Sequence, residues 1–200
     1  MDATTPSAFL PAASDRPRAL RVVSSPFRIR DERASVVPAR EALLDASFGP
    51  ARFAKTCERL REGRRAAPGL SFVAMADGAL VGTVRLWNVA IGGRASLMLG
   101  PLAVDCRLRS AGMGAALMEH ALRRARMLGH ESVILVGDAP YYARFDFDAA
   151  LTEGFVLPGP VERARFLGLE LAPGGLTGIS GDVVATGALV EDGRGSRRAA

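Results

Sequence analysis

The sequence predicts an α/β domain of the α+β type, in which a mixed and mostly antiparallel sheet contains one parallel strand–helix–strand unit. Three apolar runs between Leu70 and Val104 are separated by Asp77-Gly78 and Gly92-Gly93, which are signals for hairpin turns. From residue 99 to residue 138 the order is strand, glycine-containing loop, amphipathic helix and apolar strand, which indicates a parallel crossover. A chain of 200 residues, 48% of them hydrophobic, has room for one such domain and flanking tails.

The composition narrows the class of protein. No apolar run reaches the ~18 residues that a membrane span needs, so we expect no membrane partner. The net charge of +5 comes almost wholly from arginine, and no basic run is interleaved with aromatic residues, which favours solvated faces over nucleic-acid binding. Cys57 and Cys106 form no C-x-x-C pattern, so we expect no metal site or disulfide framework, and a cytoplasmic, reducing location.

The first elements are read from periodicity. Residues 1–25 are rich in Pro, Ala and Ser and lack the features of a signal peptide, so they are predicted to form a flexible extension. Phe27 to Arg30 alternates apolar and polar residues, as a short strand does. A helix is predicted from Pro38 to Phe48, and a second helix from Ala51. The spacings of three and four that indicate the second helix involve Phe53, Cys57 and Leu60.

The meander that follows is predicted as three strands, Leu70–Ala76, Ala79–Ile91 and Arg94–Val104. The last of them contains Gly100-Pro101. Because proline donates no ladder hydrogen bond, we expect a bulge or a splay there, which leaves backbone groups unpaired.

The second half begins with the clearest helix, Gly114–Leu128, followed by Ser132–Val136, an apolar run typical of a strand buried on both faces. A short helix is predicted at Ala139–Phe145 and a strand at Ala164–Leu171. The remaining predictions are an edge strand at Val183–Thr186 and a polar tail over Glu191–Ala200.

The loop before the long helix, Arg109 to Ala115, has the sequence R-S-A-G-M-G-A. The first N–H groups of a helix lack intrahelical partners, and the helix dipole favours negative charge there. Gly112 and Gly114 let a phosphate approach the backbone closely. The sequence therefore predicts a pyrophosphate cradle. A Rossmann fingerprint is excluded because Leu117 stands where its last Gly or Ala belongs, and the chain contains no P-loop motif.

These residues resemble a known family. The run L-G-P-L-A-V-D-C-R-L-R-S-A-G-M-G-A-A-L-M resembles the central motif of the GNAT (Gcn5-related N-acetyltransferase) superfamily. Leu135 to Phe147 resembles the segment L-V-G-D-x-x-Y-Y-x-R-F-x-F of predicted bacterial members, although Asp146 stands where the family usually has Gly. The resemblance runs from about Phe27 to Gly175. We therefore expect a GNAT domain at 26–175, an extension at 1–25 and a tail at 176–200.

The resemblance implies a function and a site. The family's loop wraps the pyrophosphate of acetyl-CoA, and the end of the preceding strand bonds the pantetheine arm. The N–H of Val104 would polarise the thioester carbonyl, and Tyr142 matches the tyrosine that protonates the CoA thiolate. The chain is thus expected to acetylate an amine of a small molecule or protein by direct attack in a ternary complex. The cofactor-binding residues implied are Leu102, Ala103, Val104, Arg109, Ser110, Ala111, Gly112, Met113, Gly114 and Ala115.

The roles of several residues can be interpreted in two ways. Tyr142 is either the acid or a half-buried packing residue. Asp138 lies at the carboxyl end of an apolar strand, where ligands gather, but the favoured interpretation is a cap for the next helix. Trp87 and Asn88 would line an acceptor cleft, unless Trp87 is a core residue.

Other functions also stay open. One is an acyl-CoA-binding module that no longer catalyses, and another is a basic nucleic-acid-binding protein. The sequence names neither the acceptor nor the base, and it leaves open whether the chain forms a homodimer.

Overall fold

The computed structural model describes residues 27–108 and 112–190. The extension predicted at residues 1–25 and the tail predicted from Glu191 lie outside these residues. The strands are β1 (Arg28–Asp31), β2 (Ser71–Ala76), β3 (Ala79–Ile91), β4 (Arg94–Val104), β5 (Ser132–Val136), β6 (Phe155–Val156), β7 (Phe166–Glu170) and β8 (Gly181–Ala185). The α helices are α1 (Val37–Phe48), α2 (Met113–Met127) and α3 (Ala139–Ala143).

The strands form one twisted sheet in the order β1-β2-β3-β4-β5-β7. All neighbours in this series are antiparallel except β4 and β5, which are parallel and joined through α2. The predicted mixed, mostly antiparallel sheet is therefore confirmed. The predicted C-terminal strand exists as β8, which pairs with the end of β3, while the two-residue β6 beside it is too short to leave a periodic signal.

The irregularity predicted at Gly100-Pro101 is confirmed. The register between β3 and β4 shifts opposite this dipeptide, where Val84 pairs with Leu102 but Leu86 pairs with Leu99. Strand β4 pairs with β5 only at Leu97 and Met98. Beyond Met98 the two parallel strands therefore part, and a gap opens at the carboxyl end of both.

Helix α2 covers one face of the sheet with residues spaced three and four apart. It lies close to the sheet because Gly82 has no side chain: a Cβ there would come within 2.9 Å of Leu117. Each fully buried Leu or Met of the helix stabilises the fold by about 1.5–3 kcal/mol. The buried residues of the helix are Met113, Leu117, Met118, Ala121, Leu122 and Ala125.

The helix predicted from Ala51 is wrong. Two 3₁₀ helices, Pro50–Ala54 and Thr56–Leu60, stand there instead, separated by Lys55 in an extended conformation. The predicted apolar stripe does not form, because the side chain of Phe53 is 59% exposed.

Side-chain hydrogen bonds to α1 and to the loop before β7 explain this outcome. Arg52 donates hydrogen bonds to Glu41 and Asp45 of α1, and its guanidinium lies over the ring of Phe53. Thr56 donates a hydrogen bond to the carbonyl of Pro160. These bonds anchor the segment at both ends, and tertiary contacts of this kind override a weak helical pattern.

Glu170, the last residue of β7, organises the loop that follows. Its carboxylate accepts hydrogen bonds from the backbone N–H groups of Gly174, Leu176 and Thr177, and from the Thr177 hydroxyl. Hydrogen bonds from these N–H groups and this hydroxyl lower the pKa of Glu170 to about 2.

We expect Glu170→Gln to lower the melting temperature at neutral pH, because the amide replaces an acceptor oxygen with a donor that faces N–H groups. Since the folded-state pKa is depressed, the carboxylate stabilises the fold above about pH 4.5, and its contribution is lost as the pH falls to about 2. Thermal unfolding against pH should therefore show the two proteins converging in acid. Glu153→Gln, which removes an exposed charge, is the control; a pH-independent difference would contradict this account.

Candidate functional site

Two adjoining cavities open where β4 and β5 part. The first, here called the helix cavity, has a volume of about 440 Å³ and lies between the end of β4 and the start of α2. The second, here called the loop cavity, has a volume of about 730 Å³ and lies between β4, the end of β5 and the 3₁₀ segment at 50–60. Phe48, Leu102 and Tyr141 line both, so the two cavities share a wall.

The helix cavity contains the predicted cradle as far as the structure describes it. Gly112 caps α2 in a left-handed conformation with φ of 74°, which favours glycine. Gly114 is needed for close packing, because a Cβ there would lie 2.8 Å from the Tyr141 hydroxyl. Arg109, Ser110 and Ala111 lie outside the described residues. The other predicted cofactor residues line this cavity together: Leu102, Ala103, Val104, Gly112, Met113, Gly114 and Ala115.

The end of β4 directs backbone donors into the gap. The N–H of Asp105, next after β4, donates a hydrogen bond to the carbonyl of Val81 at 2.8 Å, so it faces β3. Successive N–H groups of a strand point to opposite sides, so those of Val104 and Leu102 face away from β3. Because β5 no longer pairs at this point, these two groups face the gap.

Tyr142 lies in the loop cavity, on α3. Its ring packs so closely against Gly137 that a Cβ there would collide with it. The ring also lies edge-on to that of Tyr141, with 4.9 Å between the two ring centres. Burial raises the pKa of Tyr142 to about 12, the charge of Asp138 adds to this effect, and Arg165 opposes it. The hydroxyl therefore stays protonated at neutral pH and is available as a donor.

Asp138 stands at the N-cap position of α3, yet its side chain makes no capping hydrogen bond. The favoured interpretation of this residue as a side-chain cap is therefore wrong. Its carboxylate is exposed and lines the loop cavity beside Tyr142. A carboxylate without a capping bond, next to the buried hydroxyl, is placed to accept a proton directly or through water.

Trp87 and Asn88 do not line either cavity. Trp87 is a core residue, only 7% exposed, and its indole Nε1–H donates a hydrogen bond of 2.6 Å to the carbonyl of Gly100. The backbone carbonyl of Asn88 accepts from Thr186 and Gly187. The interpretation of these residues as an acceptor-cleft wall is therefore wrong, and Trp87 instead supports the irregular strand.

The structure adds residues that the sequence interpretation missed. Tyr141 separates the two cavities, and the guanidinium of Arg144 lies 4.0 Å from the centre of its ring. Both belong to the Y-Y-x-R run, where adjacent aromatic and basic residues were the available signal. Phe48, at the end of α1, and Arg61 offered no such signal, since their segments reach the cavities only through the fold.

Comparison with known proteins identifies the class. A model of the acetyltransferase (GNAT) family matches residues 38–147. The chain belongs to this family, which confirms the resemblance drawn from the loop and the tyrosine segment.

Particular relatives agree with the family. The uncharacterized N-acetyltransferase YhbS of Escherichia coli strain K12 is 32% identical over 156 residues, which is 76% of this chain and 92% of the relative. A crystal structure of YhbS from Escherichia coli in complex with CoA has a TM-score of 0.70 at 30% identity, covering 82% of this chain and 91% of that one. A GNAT family acetyltransferase from Brucella melitensis, in complex with acetyl-CoA, has a TM-score of 0.61 at 28% identity, covering 82% and 97%.

Two further findings concern the described residues only. None of their helices is long and apolar enough to cross a membrane. Nor do they bring together a group of at least three His, Cys, Asp or Glu residues that could hold a metal ion.

The raised pKa of Tyr142 can be measured directly, because the chain has two tyrosines and Tyr141→Phe leaves Tyr142 alone. We expect tyrosinate absorbance in this variant to appear well above the ordinary pKa of ~10, with burial as the main cause. The same variant unfolded in urea provides the reference titration. An ordinary titration in the folded protein would contradict the burial of the hydroxyl.

Proposed function

We propose that this protein transfers the acetyl group of acetyl-CoA to an amine by direct attack within a ternary complex. The observation that carries the proposal is that the two cavities adjoin: a helix N-terminus borders one, a half-buried tyrosine lies in the other, and both are lined by the parted strand β4. The relatives bound to CoA and to acetyl-CoA support the identity of the donor.

The helix cavity takes the diphosphate of the cofactor. The first N–H groups of α2 have no intrahelical partners, and the positive end of the helix dipole favours the phosphate charge. Gly112 supplies the left-handed turn that presents them. Met113, Gly114 and Ala115 continue this surface, and we assign Arg109, Ser110 and Ala111 to the same loop on the strength of the family motif.

The pantetheine arm lies along the end of β4 and enters the gap left by β5. There it bonds Leu102, Ala103 and Val104 as an additional strand would. The N–H of Val104, which faces the gap, donates to the thioester carbonyl and stabilises the oxygen as it becomes negative. One donor of this kind is typically worth about 10²–10³ in rate.

The reaction then needs no covalent enzyme intermediate. The neutral amine attacks the thioester carbon, a C–N bond forms, and the C–S bond breaks. The departing thiolate takes the proton of Tyr142, and the proton lost by the amine passes to Asp138 through water. With a pKa of about 12, free Tyr142 is a weaker acid than a thiol of pKa ~8.5. The same burial that raises the pKa of Tyr142 also destabilises a thiolate, however, which reduces the mismatch.

We expect Gly112→Glu to weaken acetyl-CoA binding at least about tenfold relative to Gly112→Ala, because it places a carboxylate beside the diphosphate site. Both variants carry the same backbone strain at φ of 74°, and apart from chain neighbours no described residue comes within 4 Å of the added Cβ, so both should fold. Calorimetric titration with acetyl-CoA is the measurement. Equal affinities in the two variants would remove the cradle from the proposal.

Tyr142→Phe should lower kcat by about 10²–10⁴, the usual contribution of general acid–base catalysis, while leaving CoA affinity nearly unchanged. Release of free CoA thiol across a panel of amines measures turnover. Tyr141→Phe removes the neighbouring hydroxyl and should lose much less. Normal turnover in Tyr142→Phe would show that this tyrosine is not the acid. If the unmodified protein released no thiol with any amine, the result would favour an acyl-CoA-binding module.

A further inference from the structure

We propose that the acceptor is a small amino-acid-like molecule, an amine that also carries a carboxylate, and that Arg61 binds this carboxylate in the loop cavity. The proposal rests on the proposed function, since it assigns the second substrate of that site.

Arg61 is a buried side chain held in one orientation. Its side chain is only 9% exposed. The Nε–H donates a hydrogen bond to the carbonyl of Cys57 at 3.2 Å, and Nη2 pairs with the carboxylate of Glu58 at 2.9 Å. Two of the three guanidinium nitrogens are therefore occupied by neighbours on the same 3₁₀ segment. These bonds fix the plane of the guanidinium without using Nη1.

The third nitrogen, Nη1, lies close to Gly100 of β4. It lies 3.8 Å from the position that a Cβ on Gly100 would occupy, and both residues line the loop cavity. Nη1 donates no side-chain hydrogen bond to any described residue. Among these residues no side-chain nitrogen is both fully buried and without a partner, so Nη1 keeps some accessible surface. A preoriented guanidinium donor of this kind is suited to an anionic oxygen.

The other charges of the loop cavity complement a zwitterion. Arg52 also lines the cavity, but its guanidinium pairs with two carboxylates, Glu41 and Asp45 of α1, whereas that of Arg61 pairs with one. The remaining lining charges are balanced, so an acceptor with both an amine and an acid leaves neither sign uncompensated. These residues are Lys55, Arg61 and Arg165, which are positive, and Glu58, Asp138 and Glu162, which are negative.

The positions of these charges also set a direction. Arg61 stands over Gly100 on the β4 side of the gap, while Asp138 and Tyr142 stand at the end of β5. An acceptor with its carboxylate on Arg61 therefore extends its amine across the gap, towards the groups that handle protons. The cavity volume of about 730 Å³ lies within the range of ~300–1,000 Å³ for whole small molecules.

The test uses pairs of amines that differ by one carboxylate: phenylalanine with phenethylamine, γ-aminobutyrate with n-propylamine, and β-alanine with ethylamine. Thiol release gives kcat/KM for each, and the melting temperature of the CoA-loaded protein reports binding without turnover. The variants are Arg61→Met, which removes the charge, and Arg61→Lys, which keeps it without the guanidinium. Arg126→Met is the control, because it removes the same charge from the exposed face of α2, outside both cavities.

The unmodified protein should prefer at least one carboxylate member over its partner by about 10- to 100-fold, the effect of one charge-assisted contact. Arg61→Met should lose that preference, Arg61→Lys should retain part of it, and Arg126→Met should retain all of it. Equal use of both members of every pair, or a preference that survives Arg61→Met, would overturn the proposal.

Failure of the proposed function gives a different result. In that case no amine releases thiol, although acetyl-CoA still binds. The melting temperatures then test the acceptor class by themselves. If the carboxylate members raise the melting temperature and Arg61→Met abolishes this effect, the assignment is supported. If they do not raise it, the assignment is overturned.

Discussion

The site depends on a backbone constraint, the separation of β4 from β5 after Met98. Pro101 has no N–H to donate, and Gly100 adopts φ of 129°, a conformation that other residues rarely take. The parallel pairing stops at Met98, and the amides of Leu102 and Val104 face the gap. A regular β4 would use these amides to bind β5. The interruption therefore costs sheet hydrogen bonds, but it leaves N–H donors and an open space that a ligand can use.

Two glycines and two tyrosines then divide that space. Tyr141 comes so close to Gly114 that a methyl group would not fit, and Tyr142 packs as closely against Gly137. The rings meet edge-on, which is a favoured arrangement for aromatic pairs. The tyrosine pair thus joins the start of α2 to the end of β5. The ring of Tyr141 lies at the boundary between the cavities and that of Tyr142 lies in the loop cavity. In the proposed function, the cofactor and the acceptor meet at this boundary.

The parts of the fold that are encoded locally could be predicted from sequence. Asp77-Gly78 adopts the positive φ angles of the expected turn, and the apolar run Ser132–Val136 is the buried strand. The glycines of the loop likewise indicated the helix cavity. The segment from Pro50 to Leu60 could not be predicted, because Arg52 bonds back to side chains of α1 and Thr56 bonds to Pro160, which is far away in sequence. The spacing of Phe53, Cys57 and Leu60 imitates a helix but says nothing about these bonds. Asp138 was misassigned for a similar reason: its position is that of a cap, and only the side-chain geometry shows that it does not cap.

This contrast follows from the kind of atom that each cavity uses. In the proposed function the helix cavity binds its ligand with backbone amides, so its sequence must supply glycines and a helix start. The loop cavity is lined mainly by side chains from α1, the 3₁₀ segment, β5, α3 and the residues before β7. Substitution at the exposed positions among these, such as Lys55 and Glu162, changes the charge or shape of that cavity without disturbing the sheet. Thr56 and Arg59 also tie the 3₁₀ segment to the carbonyls of Pro160 and Pro158 through exposed hydrogen bonds, while Leu60 anchors its end in the core. Acceptor choice can therefore change while the cofactor site and the fold are retained.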